Sequence, residues 1–260
     1  MSFKYNIYIA GEGTPLVFQH GLTANVNQIG GLLGGLENVE LALMDCPGHG
    51  LSSLEDFVPS FDNYADQVVS LMDYLGLESA IVGGLSMGSG IALNICLRFP
   101  ERVKALILHR PAWLDRVDPQ NLMILKEASP YLGAVDGASK FKLTGSYLNI
   151  ETELPSAAKS VMGIFSDTQQ PGLPTVIDNM VGDRPFDEVE RLKEIKVPCL
   201  ILGNDDDPLH PYDMAEVIHR NIEASVLKKI TSRYIDADLH KNQVRDNILN
   251  FIKQLLISQL

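Results

Sequence analysis

Seven short runs rich in β-branched and aliphatic residues constrain this chain more than any other feature: Tyr5 to Ile9, Leu16 to Gln19, Val39 to Met44, Ala80 to Gly83, Val103 to Leu108, Val197 to Leu202 and Ser225 to Ile230. Several are apolar on both faces, as strands of a parallel sheet covered on both sides must be. Between them, Tyr64, Val68, Leu71, Met72 and Leu75 recur at helical spacing, and so do Val244, Ile248, Phe251, Ile252, Leu255 and Leu256. Each set makes one apolar helix face. Strand and helix alternating in this order predict an α/β fold with a doubly wound, mostly parallel sheet.

From about Ala112 to Asp187 the rhythm breaks. Helix starts stand at Asp118-Pro119 and Pro155-Ser156, a turn cluster runs from Gln170 to Pro174, and no β-rich run intervenes. The expected organisation is therefore a core formed by residues 1–111 and 188–260, with residues 112–187 as a helical cap insertion over one edge of the sheet. Met123, Phe141, Tyr147, Met162, Phe165 and Met180 of that insertion suit an adaptable pocket wall. They suit an ordinary helical core equally well.

A chain of 260 residues, 45% of them hydrophobic, can bury one large core. Its 33 acidic against 21 basic side chains give a formal charge of -12, which disfavours nucleic acid and anionic membrane surfaces as partners. Cys46, Cys96 and Cys199 are odd in number and widely spaced, so they suggest neither a disulfide framework nor a zinc site. No apolar run has the length of a signal peptide or a membrane span, and the expected location is the cytoplasm.

The run Val82 to Gly90, VGGLSMGSG, joins a predicted strand to a mostly apolar helix that Pro100 ends. Within it, Gly84-Leu85-Ser86-Met87-Gly88 has the pattern G-x-S-x-G. A serine at a sharp strand-to-helix turn takes up strained backbone angles, which require small neighbours, and its Oγ then projects above the sheet edge. The Lys-Ser/Thr of a phosphate loop is missing, and the spacing is not that of a dinucleotide site. A nucleophilic serine needs a base and an orienting acid, expected in the chain order Ser, Asp or Glu, His at the carboxyl ends of strands. Asp205, Asp206 and Asp207 follow the strand that ends at Leu202, and His240 follows the last strand and precedes the last helix. His210 sits within the acid loop itself, and His219 falls in a helical pattern.

These residues resemble those of the α/β-hydrolase fold family, and the resemblance spans nearly the whole chain. FQHGLTA, Phe18 to Ala24, resembles the family's oxyanion loop. DCPGHGLS, Asp45 to Ser52, resembles its glycine turn; GLSMG resembles its nucleophile elbow; and DPLHP, Asp207 to Pro211, resembles its acid loop. His240 in DADLHKNQ stands at the family's histidine position. The first strand or hairpin of the family's sheet is shortened or missing, because only about fourteen residues precede Leu16. The resemblance implies Ser86 as nucleophile, Asp207 as acid, with Asp115 a weaker second candidate, and His240 as base. It also implies an oxyanion hole at the N–H groups of Leu22 and Met87, with no metal and no organic cofactor. His20 and His49 have a structural reading in the oxyanion loop and glycine turn. His20, Trp113 and Met162 are also candidate substrate contacts, and His109 and Trp113 stand where the cap begins.

The expected reaction is hydrolysis of a carboxylic ester of a small, largely apolar molecule. Enol-lactones and the carbon–carbon bonds of β-diketones are close alternatives, since capped members of the family share one triad. A ligand-binding, receptor-like protein on a hydrolase scaffold is the alternative of another class. The expected partner is a small molecule, with a homodimer left open.

Overall fold

A computed structural model of the chain describes residues 4–166 and 171–257. Seven strands form one sheet in the order β1-β3-β2-β4-β5-β6-β7. They are β1 (Ile7–Ala10), β2 (Thr14–Gln19), β3 (Val39–Met44), β4 (Ala80–Leu85), β5 (Val103–His109), β6 (Cys199–Gly203) and β7 (Ser225–Lys229). Every run read as a strand in the sequence is one. Only β1 is antiparallel, pairing Ile7 with Met44 through Ala10 with Leu41, and every other pair is parallel.

Alternate residues of each strand feed two separate cores, because side chains of a strand point to opposite faces in turn. Leu16, Phe18, Leu41, Leu43, Ile81, Ile107, Leu200 and Leu202 pack beneath α1 (Val26–Leu33) and α10 (Ala237–Ile257). Val17, Ala42, Met44, Val82, Leu106, Leu108 and Ile201 pack beneath α2 (Phe61–Tyr74), α3 (Met87–Arg98) and the last core helix, whose Ala215 and Ile218 are buried. The helix faces read from sequence hold for Tyr64, Val68, Leu71 and Met72 and for Val244, Ile248, Phe251 and Ile252. Leu256 is a correction: it lies 46% exposed, where α10 runs past the edge of the core.

Between β5 and β6 the described residues form helices only: α4 (Met123–Ala128), α5 (Gly137–Phe141), α6 (Gly145–Glu153), α7 (Pro155–Met162) and α8 (Leu173–Val181), with short 3-10 turns. The last core helix is α9 (Tyr212–Asn221). Pro155 opens α7 at a position where its missing N–H costs nothing. Of the expected turn cluster, Gln170 lies outside the described residues. Phe141, Tyr147 and Met180 are buried, with Met123, Met162 and Phe165 packed against them, so most of these side chains are helical core. No described helix is long and apolar enough to cross a membrane.

The chain runs from β2 outward to β3 and then jumps back to β4 on the other side of β2, which makes a switch point at the carboxyl ends of β2 and β4. There α3 approaches the sheet closely. A Cβ on Gly84 would lie 2.1 Å from the carbonyl carbon of Gly88, and one on Gly88 would lie 2.3 Å from the carbonyl oxygen of Gln19. Both neighbours are backbone, which has no rotamer to yield. Gly88→Ala is therefore expected to lower the unfolding free energy by about 3 kcal/mol or more, read from the urea midpoint. Gly31→Ala, whose methyl would meet nothing within 4 Å, is expected to be neutral or stabilising by up to about 1 kcal/mol.

Candidate active site

Ser86 lies between the last residue of β4 and the first of α3, with φ 56° and ψ -111°. A side chain in this sparsely populated conformation costs on the order of 1–3 kcal/mol and persists only where the surroundings over-determine it. They do so here: Ser86 N–H donates to His109 O at 3.0 Å, and the side chain of the nearby Ser89 donates to Gly84 O at 2.7 Å. Met87 N–H, at the start of α3, and Leu22 N–H, in the loop after β2, donate no hydrogen bond within the described residues. Gly21 lies between that loop and the serine, its Cβ position 3.5 Å from Ser86 Cβ.

The side chain that meets Ser86 Oγ is His210, whose Nε2 lies 2.9 Å away. His210 follows the turn after β6, closed by its own N–H donating to Asp207 O at 3.1 Å. The turn folds its ring back onto Asp207, with Nδ1 2.9 Å from Oδ1. Asp207 Oδ2 forms an ion pair at 2.6 Å with Arg110 Nη2, from the residue after β5. Burial alone would raise the Asp207 carboxyl, but the His210 ring and the Arg110 guanidinium hold it well below the usual carboxylate range.

Nδ1 of His210 also lies 2.9 Å from Arg110 Nη2, and it cannot serve both neighbours. A bare Nδ1 would face an ionised carboxylate lone pair to lone pair, whereas Nδ1–H donates to it. The guanidinium has its ion pair with Oδ2. Nδ1 therefore carries the proton and Nε2 presents its lone pair to Ser86. Burial keeps His210 below its ordinary pKa, Asp207 opposes this, and Arg110 adds to it, so the ring is neutral at pH 7.

The structure does not bring His240, expected from sequence as the base, to Ser86. The reason is where α10 begins. Asp236 caps that helix by accepting from Leu239 N–H at 2.9 Å, so His240 sits within the first turn rather than on the preceding loop. Its Nδ1 hydrogen-bonds Thr231 O at 2.7 Å, and its ring lies 5.1 Å from that of the fully buried His109. Sequence reasoning set His210 aside as part of the acid loop and passed over Arg110 entirely. The available signals were a second titratable residue three positions after Asp207, and a lone arginine at the carboxyl end of an apolar strand.

The other expectations fall as follows. Asp205 is exposed and ion-paired with Lys229, and Asp206 is exposed in a left-handed turn. Asp115 contacts neither histidine among the described residues; its backbone carbonyl accepts from Arg184. His20 lies behind the loop after β2 and does not line the cavity above Ser86: Nδ1 donates to Gly21 O at 2.9 Å and Nε2 accepts from Cys46 N–H at 3.0 Å. With both nitrogens on backbone, it has no atom left for a substrate. Cys46, Cys96 and Cys199 are buried free thiols that burial pushes upward, Cys96 to about 12.

Above Ser86 lies a cavity of about 90 Å³. Its walls include Leu22, Leu85, Trp113, Leu122, Val161 and Ile164, with Ser86, Arg110, His210 and Arg233 among its polar lining. Trp113 is thus a lining residue as expected, fixed by donating to Met180 O at 3.1 Å. Met162 is not: its neighbours Val161 and Ile164 face the cavity instead. A larger cavity of about 460 Å³, lined by Tyr131, Asp136, Phe165 and Pro171 among others, contains none of the reactive groups.

Residues 14–237 match the family model described as alpha/beta hydrolase fold. The chain belongs to this family. The hydrolase is similar to YugF, an uncharacterized hydrolase of Bacillus subtilis (strain 168), with 23% identity covering 95% of this chain and 94% of that one. Among solved structures it is similar to a thermophilic esterase from Thermogutta terrifontis, with TM-score 0.76, 19% identity, and 96% and 93% of the two chains covered. The enol-lactonase from Burkholderia xenovorans LB400 has TM-score 0.75, 18% identity, and 95% and 96% covered.

Besides His210, the hydrolase buries four more histidines whose pKa values burial lowers: His20, His49, His109 and His240. Burial, with the neighbouring His20 ring, pushes His49 down to about 3. In the unfolded chain such rings take up protons near pH 6.5. Below that pH the unfolded state binds more protons than the fold, and stability falls as pH falls. For His49 the loss between about pH 7.5 and about pH 5.5 is about 1.4 kcal/mol. Asp207, held low, stays ionised in both states over this window. Tm should therefore drop on acidification to pH about 5.5, against the relief of self-repulsion in a chain of charge -12; an unchanged or higher Tm would refute this.

Proposed function

We propose that the protein is a serine hydrolase cleaving a carboxylic ester of a small substrate through an acyl-enzyme, with Ser86 as nucleophile, His210 as base and Asp207 as orienting acid. The observation that carries this reading is the unbroken line from Asp207 Oδ1 through His210 to Ser86 Oγ, 2.9 Å at each step. His240 has no part in it.

In the first half-reaction His210 Nε2 takes the Ser86 proton as Oγ bonds to the ester carbonyl carbon. The carbonyl oxygen gains the negative charge and is received by the N–H groups of Leu22 and Met87, which donate to no other group among the described residues. Collapse of the adduct breaks the bond to the alkoxide, which leaves with the proton from Nε2. In the second half-reaction His210 deprotonates water, which attacks the acyl carbon and releases the acid and Ser86. Asp207 stabilises the imidazolium in both halves and keeps its own charge, as its low pKa requires.

A cavity of about 90 Å³ is well below the roughly 300 Å³ at which drug-sized pockets begin, so a short acyl group suits it. Ester and lactone hydrolysis, the activities of the solved relatives, use this same addition and collapse.

A fluorophosphonate probe is expected to label Ser86, and Ser86→Ala to abolish labelling; an unlabelled, well-folded protein would sink the assignment. On a short-chain ester, His210→Asn is expected to lower kcat by about 10³-fold or more, and His240→Asn by less than about tenfold. A reversed order would return the base to His240. Asp207→Asn should cost far more turnover than Asp205→Asn or Asp206→Asn, and equal losses would undo the choice of acid.

A further inference from the structure

The cavity above Ser86 carries an imbalance of charge that the proposed reaction does not use. The ionised side chains that line it are two arginines, Arg110 and Arg233, and no carboxylate lines it. Both guanidinium groups flank one aromatic ring: Arg110 lies 5.8 Å and Arg233 5.7 Å from the centre of Tyr234. Their situations differ. Arg110 is buried, and its charge is matched by Asp207 at 2.6 Å. Arg233 is exposed at the rim, on the loop between β7 and α10, and makes no ion pair with any described residue. Its positive field nonetheless reaches inward, since it disfavours protonation of His210, His240 and His109.

A cation at the mouth of a small cavity, in a chain whose net charge is -12, is a local reversal of the field that surrounds the rest of the molecule. Low-dielectric walls focus such a field on whatever enters. Gln28 and Ser160 also line the cavity, and each has a side-chain donor that can serve an anion there. We propose that the preferred substrate is a short ester that bears a free carboxylate, and that Arg233 pairs with this carboxylate while the ester carbonyl lies over Ser86. The proposal rests on the ester-hydrolase reading for its chemistry and on Arg233 for its specificity. The carboxylate can belong to the acid half or to the alcohol half of the ester, and the chemistry at Arg233 is the same.

Two matched pairs of probes separate these sources: monomethyl glutarate against dimethyl glutarate, and 3-acetoxypropanoate against its methyl ester. Binding is measured first with Ser86→Ala, which needs no turnover. The anionic member of at least one pair is expected to bind about tenfold more tightly than its neutral partner, with the advantage shrinking as NaCl is raised. Arg233→Gln added to Ser86→Ala should remove that advantage and Arg233→Lys should keep part of it. Arg191→Gln, which removes a cation that pairs with Asp187 and does not line the cavity, should leave it intact. In the active enzyme the ratio of kcat/KM for the same pair should fall with Arg233→Gln. Equal binding within both pairs, or an anionic preference that survives Arg233→Gln, overturns the proposal. Absence of ester turnover and of fluorophosphonate labelling overturns the hydrolase reading instead, and the binding series still decides the anion site.

Discussion

The close approach of α3 to the ends of β2 and β4 is the constraint on which the rest of this molecule depends. Without side chains at positions 84 and 88, the helix settles onto the carbonyl of Gln19 and the backbone of its own entry turn. Ser86 is then forced to φ 56°, a conformation costing on the order of 1–3 kcal/mol that the buried helix must offset. The buried apolar face of α3, from Met87 to Cys96, supplies that offset. The same approach brings the loop after β2 beside the serine, where the N–H groups of Leu22 and Met87 donate no hydrogen bond within the described residues. The strain at Ser86 is a cost of folding, and it stands at the same end of the sheet as the cavity that Leu22 and Ser86 both line.

A second dependency is electrostatic. Arg110 and Asp207 come from neighbouring strand ends, β5 and β6, and their ion pair is almost wholly removed from water. Such pairs are expensive to desolvate, and losing one partner generally costs more than the pair contributes. Here the pair fixes the ionisation of Asp207, and Asp207 fixes the tautomer of His210. The buried guanidinium thus determines on which nitrogen of a neighbouring ring the proton rests. His20 follows the same logic on backbone partners, holding the loop after β2 to the end of β3 through Gly21 and Cys46.

The inner strands were legible because parallel strands covered on both faces are largely apolar, whereas the edge strands β1 and β7, with Tyr8, Ile9 and Val226 exposed, stand out by their β-branched and aromatic content alone. The elbow was legible because its sterics demand particular small residues at particular positions. Asp207 stood out through the spacing to Pro211. The histidine that meets Ser86 was not legible: choosing between His210 and His240 depends on where α10 starts, and helix ends are set by local caps such as Asp236 rather than by hydrophobic pattern. Arg110 left almost no trace, since an arginine after a strand usually faces solvent and only the tertiary partner shows that this one does not. His20 was visible, but its orientation, and so its lack of any free nitrogen, was not. Met162 shows the same limit at one residue's resolution, because helical periodicity cannot say which of Val161, Met162 and Ile164 looks into a cavity.

That Asp207 and His210 lie three residues apart, joined by a backbone hydrogen bond within one turn, means that they move as a single piece. Bending of the sheet or displacement of the last helix alters how far this piece stands from Ser86, but leaves the carboxylate and the ring in register with each other. In the proposed relay the C-terminal helix carries no proton, and His240 in its first turn is held by Thr231 and by packing on His109.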